Sequence, residues 1–169
     1  KLSNVPQSID MVGLVNGVIE VFKPIAGSKS ISLKLDSAVE SVHVTVDIEM
    51  IKSVVRNLIS NAIKFSHKDT AVVVHVKVQE VADENRTEAG NDKEVLVTVS
   101  DSGCGIKKED QEKLLNEATH FTTFGTDSEE GSGLGLLLCK DFVSKNHGRL
   151  WFTSEEGVGS NFNFTIPLK

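Results

Sequence analysis

The sequence predicts an α/β domain in which helices cover one side of a mixed sheet, and three stretches carry that expectation. Between Ile48 and Phe65, residues Ile51, Val54, Val55, Leu58, Ile59 and Ala62 fall on one helical face. Val72, Val74, Val76 and Val78 alternate along one strand, and Val95, Val97 and Val99 along a second. From Leu134 to about Asn146 a further helix presents Leu134, Leu138, Cys139, Phe142 and Val143 as its buried stripe.

The remaining elements follow in chain order. Met11, Val15, Val18 and Phe22 recur at helical steps, predicting a helix from about Ile9 to Phe22, with Ser8 as cap, Asp10 in the first turn and Pro24 as the stop. Ile31 to Leu35 and Val42 to Val46 alternate as short strands. Ala82 to Glu94 is polar and charged with almost nothing to bury, so it reads as an exposed connection without chemistry. Its Asn85-Arg86-Thr87 matches a glycosylation acceptor that chance alone often produces. A short helix is expected near Lys107 to Leu115, then a Gly/Ser/Thr-rich loop over Phe121 to Gly133. Gly148 stops the last helix. Two strands close the chain, Leu150 to Thr153 and one carrying Phe162, Phe164 and Ile166, with Asn161, Asn163 and Thr165 on its other face.

The chain has 169 residues, 39% of them hydrophobic, and a formal net charge of −6. One domain over residues 1–169 is expected, burying roughly 70% of the surface its unfolded chain exposes and needing no disulfide or structural metal. Cys104 and Cys139 lack metal-ligand or C-x-x-C spacing, which points to a reducing, cytoplasmic compartment. Net acidity without a basic cluster argues against nucleic acid as a partner. The longest apolar stretch, around Leu134 to Cys139, is far short of the ~20 residues of a membrane span, so no direct membrane contact is expected. The chain begins at Lys1 rather than Met and reads as a piece of something longer.

Three clusters stand out. Asn57, Asn61 and Lys64, at i, i+4 and i+7, fall within an arc of about 60° on the strongest helix. They form either a solvated stripe or a site. Asparagine is a poor helix former, while its amide oxygen suits Mg²⁺ and a neighbouring lysine suits phosphate. Asp101-Ser102-Gly103-Cys104-Gly105-Ile106 follows directly on a strand, and is either a common Asp-x-Gly turn or a buried carboxylate able to accept from the exocyclic amine of adenine, with glycines admitting a flat ring. Gly131-Ser132-Gly133-Leu134-Gly135-Leu136 opens a helix, where main-chain N–H groups bind phosphate. It is neither a Walker A loop nor G-x-G-x-x-G.

In order, Asn57 to Ser66, Asp101 to Ile106, Phe121 to Thr126 and Gly131 to Leu136 resemble the N, G1, F and G2 boxes of the GHKL ATP-binding fold, with Gly157-Val-Gly159-Ser160-Asn-Phe162 completing the pattern. The resemblance runs over nearly the whole chain and is closest to the catalytic ATP-binding domain of sensor histidine kinases. It implies a two-layer α/β sandwich with a mixed sheet of about five strands, binding ATP and Mg²⁺. It further implies that Asn57 and Lys64 serve catalysis, that Asn61 holds Mg²⁺, that Lys64 meets phosphate, and that Asp101 accepts from adenine N6. Phe65 and Ile106 would line the adenine pocket with Gly103 and Gly105. Thr126 would belong to the ATP-binding set, the loop Gly131, Ser132, Gly133, Leu134, Gly135 and Leu136 would wrap the phosphates, and Ser160 would help from below.

The hydrolases of this superfamily carry glutamate where this chain has Asn57, and an amide cannot take a proton from water. Transfer to histidine needs alignment and charge neutralisation more than a strong base. None of His43, His67, His75, His120 or His147 stands in the family's phosphoacceptor context. The resemblance therefore implies a partner dimerisation domain bearing the acceptor histidine, a response regulator downstream, and a monomer when the dimerisation helices are absent. Phe124 stands where relatives often have lysine. That departure leaves a non-catalytic nucleotide-sensing module as one alternative, and a self-sufficient ATPase is another.

Overall fold

The computed structural model describes residues 5–86, 92–105, 107–109, 111, 122–124, 130–132 and 134–168. Its elements are β1 (Pro6–Asp10), α1 (Met11–Ser28), β2 (Ser32–Ser37), β3 (His43–Asp47), α2 (Ile48–Phe65), β4 (Ala71–Glu80), β5 (Lys93–Asp101), β6 (Thr122–Phe124), β7 (Glu130–Ser132), α3 (Leu134–Lys145), β8 (Leu150–Glu155) and β9 (Gly159–Pro167). The main sheet has five strands in the order β2-β4-β5-β9-β8. β2 runs parallel to β4, reached by a crossover through α2, and every other pairing is antiparallel. Register puts Val74 opposite Val99, Val76 opposite Val97, Val97 opposite Phe164 and Val99 opposite Phe162. These side chains share one face, and all are buried in a single core with Met11, Val15 and Ile19 of α1, Ile51, Val54, Val55, Leu58 and Ile59 of α2, and Leu136, Cys139, Phe142 and Val143 of α3. The predicted two-layer sandwich is therefore present.

The other face carries polar ladders instead. Thr98 donates to Asn163 Oδ1 at 2.8 Å, Ser100 pairs with Asn161, and Thr165, only 1% exposed, accepts from the Arg149 N–H at 3.2 Å.

Several boundaries differ from expectation, each for a local reason. Ser8 and Ile9 belong to β1, held antiparallel on β3, so the cap of α1 is Asp10, which accepts from the Val12 N–H at 3.2 Å and the Val42 N–H at 2.9 Å. α1 also runs through Pro24 to Ser28. Proline is tolerated because Pro24 and Glu20 both face solvent, where water satisfies the carbonyl that a missing N–H leaves free. The helix is long and apolar enough to cross a membrane by length and composition, yet Met11, Val15, Val18, Ile19 and Ala26 are buried in this core. On α3 the buried stripe starts from Leu136 and leaves Leu138 48% exposed. Steps of three from Leu136 reach Cys139 and Phe142, and Leu138 lies off that line.

α3 ends in a Schellman motif, with the Gly148 N–H on Val143 O at 2.9 Å and the His147 N–H on Ser144 O at 3.0 Å. The left-handed residue is His147, at φ 68°, rather than Gly148. Glycine is required at 148 for a different reason: a Cβ there would collide with the Thr165 carbonyl. The stretch read as an exposed connection up to Glu94 is shorter than expected, because Lys93 and Glu94 already lie in β5. Glu94 is buried, accepting from Arg149 at 2.7 Å and Gln79 at 2.8 Å, while the Arg149 guanidinium stacks 5.0 Å from the Trp151 ring. The loop expected over Phe121 to Gly133 contains β6 and β7, paired antiparallel.

A buried polar tie joins α2 to α3. Asn146, 4% exposed, accepts from the Asp47 N–H at 2.8 Å and donates to Phe142 O at 2.8 Å. The Asp47 carboxylate caps α2 by accepting from the Met50 N–H at 3.1 Å and also takes the Val5 N–H at 2.9 Å. Asn146→Ala strands the buried Asp47 N–H and should cost about 2 kcal/mol in urea unfolding, with little change in the slope. The same main-chain donors hold the Asp47 carboxyl below its ordinary 3.8. Their stabilisation is complete above that pH and is lost as pH falls through the lower folded value. Urea midpoints followed from about pH 5 to pH 2 should drop more steeply for the wild type than for Asp47→Asn.

Candidate functional site

The flank of α2 supplies one wall. Asn57, Asn61 and Lys64 are all half-buried, and Asn61 Nδ2 donates to Asn57 Oδ1 at 3.2 Å. Above Asn57 sits the first turn of α3, so close that a Cβ on Gly135 would lie 2.6 Å from Asn57 Nδ2. Lys64 Nζ lies 5.3 Å from the Phe65 ring centroid, in cation–π range. Phe65 itself is half-buried.

The loop after β5 supplies the second wall. Asp101 Oδ1 accepts from the Gly103 N–H at 2.8 Å. The Cys104 N–H donates to Phe65 O at 3.1 Å, and the Gly157 N–H to Cys104 O at 2.8 Å. The loop is thus gripped between the end of α2 and the turn joining β8 to β9. Glycine is obligatory twice: a Cβ on Gly103 would collide with Phe65 O, and Gly105, at φ 69°, would collide with Glu155 O. The sequence predicts that these glycines admit a flat ring; the groups that approach them here are carbonyls of the protein itself.

These contacts bring the clusters together along one helix. The Gly135 end meets Asn57 and the Asp101 loop meets Phe65, eight residues away, or about 12 Å along the axis. Gly131 and Ser132 lie in β7, and Leu134 starts α3. Leu136 is 3% exposed, so any part it has in the site falls to its main chain. Ser160 pairs in register with Asp101 and hydrogen-bonds to it through the main chain, but its hydroxyl is engaged with Ser154 Oγ at 2.7 Å. Ile106, Thr126 and Gly133 lie outside the described residues, as does most of the expected helix near Lys107 to Leu115.

One residue at the site left no mark in the sequence. Lys29, just past α1, donates to Ile63 O at 3.0 Å and Lys64 O at 2.8 Å, at the end of α2 where Lys64 and Phe65 lie. A single lysine following a helix carries no spacing signal, so only the packing of α1 against α2 exposes it.

The electrostatics set two acidic groups apart. Burial pushes the Asp101 carboxyl up, against the main-chain donors at Gly103 and Ser160. Burial also raises the Cys104 thiol, opposed by Lys29 and reinforced by Asp101, and pushes Cys139 up to about 12. Both cysteines are free thiols with little thiolate at neutral pH. Among the described residues no three His, Cys, Asp or Glu side chains gather as a metal cage. The hard donors present are the amide oxygens of Asn57 and Asn61. They fit an Mg²⁺ ion that takes most of its ligands from phosphate and water.

Because Asp101 is raised, its charge costs stability at pH above the folded value, and the cost fades as pH falls toward 3.8. Asp101→Asn keeps the acceptor for the Gly103 N–H without that charge. The variant should match or exceed the wild type in thermal stability at pH 7, with the difference shrinking toward pH 4, as differential scanning calorimetry will show.

The chain matches the family described as histidine kinase-, DNA gyrase B- and HSP90-like ATPases over residues 46–169. It is 34% identical over 165 residues to the sensor protein EvgS of Escherichia coli K12, covering 97% of this chain and 13% of EvgS. It is 34% identical over 156 residues to the adaptive-response sensory kinase SasA of Synechococcus sp. strain JA-2-3B'a(2-13), covering 92% of this chain and 38% of SasA. The chain therefore spans well under half the length of these relatives. Among solved structures, the nucleotide-free catalytic domain of histidine kinase ThkA superposes with a TM-score of 0.72 at 25% identity, over 96% of this chain and 95% of that domain. ThkA has also been solved in complex with the response regulator TrrA, where the match has a TM-score of 0.74 at 23% identity and covers 98% of this chain and 42% of ThkA. A helix flank of two amides and a lysine, faced by a glycine-gripped carboxylate, agrees with that match: the chain belongs to the histidine kinase-, DNA gyrase B- and HSP90-like ATPases, as a catalytic domain of the histidine kinase type.

Proposed function

We propose that residues 1–169 act as the single ATP-binding catalytic domain of a cytoplasmic two-component sensor histidine kinase. The reaction is transfer of the ATP γ-phosphate to a histidine on a dimerisation domain, for relay to a response regulator. The observation that carries this reading is the run of Asn57, Asn61 and Lys64 along α2, tied at one end to Gly135 and at the other to the Asp101 loop. A span of about 12 Å between those ends suits a nucleotide laid along the helix, base at Phe65 and phosphates toward Asn57.

Each residue then has a role that follows from its place. Asp101 accepts a hydrogen bond from the purine amine, and Phe65 packs against the ring. Asn61 offers an amide oxygen to Mg²⁺, which when bound neutralises phosphate charge. Lys64 supplies a second positive charge, and Gly135 keeps the opening of α3 close enough for main-chain N–H groups to reach phosphate. Asn57 orients rather than deprotonates, since an amide is no base. That favours phosphoryl transfer to an imidazole, which already exposes a lone pair, over attack by water. The names of EvgS, SasA and ThkA support the kinase branch, and the ThkA–TrrA complex supports a response regulator as downstream partner.

Mixing the chain with a histidine-bearing dimerisation domain and γ-labelled ATP should place acid-labile label on that domain. Nucleotide binding without label on histidine would overturn the kinase reading. Asp101→Asn should weaken ATP-analogue binding by about 1.5 to 3 kcal/mol in calorimetry, the range for a hydrogen bond to a charged group. Asn57→Glu should raise phosphate release to water without improving transfer to histidine.

A further inference from the structure

We propose that Lys29 is a positioning residue for the nucleotide pocket, clamping the end of α2 so that the Phe65 carbonyl holds the Asp101 loop in its binding geometry. This rests on the reading of the site as a nucleotide pocket. Lys29 acts through the main chain of α2 rather than by touching the nucleotide.

The chain of contacts is continuous. α1 ends in a Schellman motif, with the Ile31 N–H on Ala26 O at 2.8 Å, the Ser30 N–H on Gly27 O at 3.0 Å, and Ser30 left-handed at φ 60°. That motif fixes the main chain at Lys29. The Ser30 carbonyl then accepts the Asp69 N–H at 2.7 Å, tying the same corner to the turn after α2. From this anchored base the Lys29 ammonium donates to Ile63 O at 3.0 Å and Lys64 O at 2.8 Å. These carbonyls belong to the last turn of α2, where Ile63 O also accepts the Ser66 N–H at 3.3 Å and where the negative end of the helix dipole favours a cation.

Beyond that turn is the carbonyl that matters. Phe65 O accepts from the Cys104 N–H at 3.1 Å, with Gly103 pressed against it, and the Gly103 N–H donates to Asp101 Oδ1 at 2.8 Å. A shift of the last turn of α2 therefore moves the Cys104 amide, and through Gly103 the carboxylate. Charge-assisted bonds of this kind are stronger than neutral ones, and two on adjacent carbonyls restrain both position and direction.

The test is ADP titration by calorimetry with hydrogen exchange read at the Cys104 amide, on wild type, Lys29→Met, Lys29→Arg and the exposed control Lys23→Met. Lys29→Met should bind ADP about tenfold more weakly, equivalent to about 1.4 kcal/mol. Its Cys104 amide should exchange faster while the Val97 amide in β5 keeps its protection. Lys29→Arg should restore both, and Lys23→Met should change neither. Wild-type ADP affinity in Lys29→Met would overturn the proposal, as would a loss matched by equal loss of protection at Val97 and not rescued by arginine. Should Lys29→Met fail to fold, Lys29→Gln, which keeps a donor without the charge, carries the same test. Failure of the wild type to bind ADP would sink the nucleotide reading instead, and unchanged Cys104 exchange in Lys29→Met would separately sink the clamp.

Discussion

The carbonyl of Phe65 is where the helix layer meets the sheet at the site, and the rest of the pocket depends on how closely the Asp101 loop can approach it. Only glycine at 103 permits that approach, and only then does the Cys104 N–H reach the carbonyl. On its other side the loop is held by the turn between β8 and β9, through Gly157 and the carbonyl of Glu155. A loop fixed from two sides by main-chain atoms has little freedom to relax, so the carboxylate it carries is held in place before any ligand arrives. Preorganisation of that kind lowers the ordering cost of binding.

Two aspartates show how environment, rather than residue type, sets the chemistry. Asp47 caps α2 and is surrounded by main-chain donors, which hold its carboxyl down. Asp101 has donors too, but burial dominates and its carboxyl is pushed up. The first stabilises the fold as an anion. The second is costly as an anion, because burial outweighs the donors around it. The core beneath can bear that cost, because α2 and three strands of the sheet bury an uninterrupted set of valine, isoleucine, leucine and phenylalanine side chains.

Much of this was legible in the residues. α2 was readable to its ends because six apolar positions keep one face, and β4 and β5 because their valines alternate with period two; β9 was readable from Phe162, Phe164 and Ile166, although Asn163 and Thr165 on its other face are buried as well. The three polar clusters were readable for the opposite reason: asparagines on a helix and glycines after a strand cost local stability, so their presence asks for an explanation. What was not legible were features decided by a neighbour far along the chain. The cap of α1 moved from Ser8 to Asp10 because β1 pairs with β3, and the stripe on α3 moved to Leu136 because of the face α2 presents. Glu94 looked like part of a solvated connection, yet Arg149, fifty-five positions away, makes it a buried ion-pair partner. Lys29 was invisible for the same reason.

The residues alone determined the class of fold and the chain order of the long helices and of the five strands of the main sheet, since periodicity and side-chain type are local properties, while β1, β6 and β7 escaped them. Tertiary structure decided which of those groups face one another. Proximity of Asn57 to Gly135, of Gly103 to Phe65 and of Lys29 to the end of α2 arises only when the layers pack, because each joins atoms that no local rule relates.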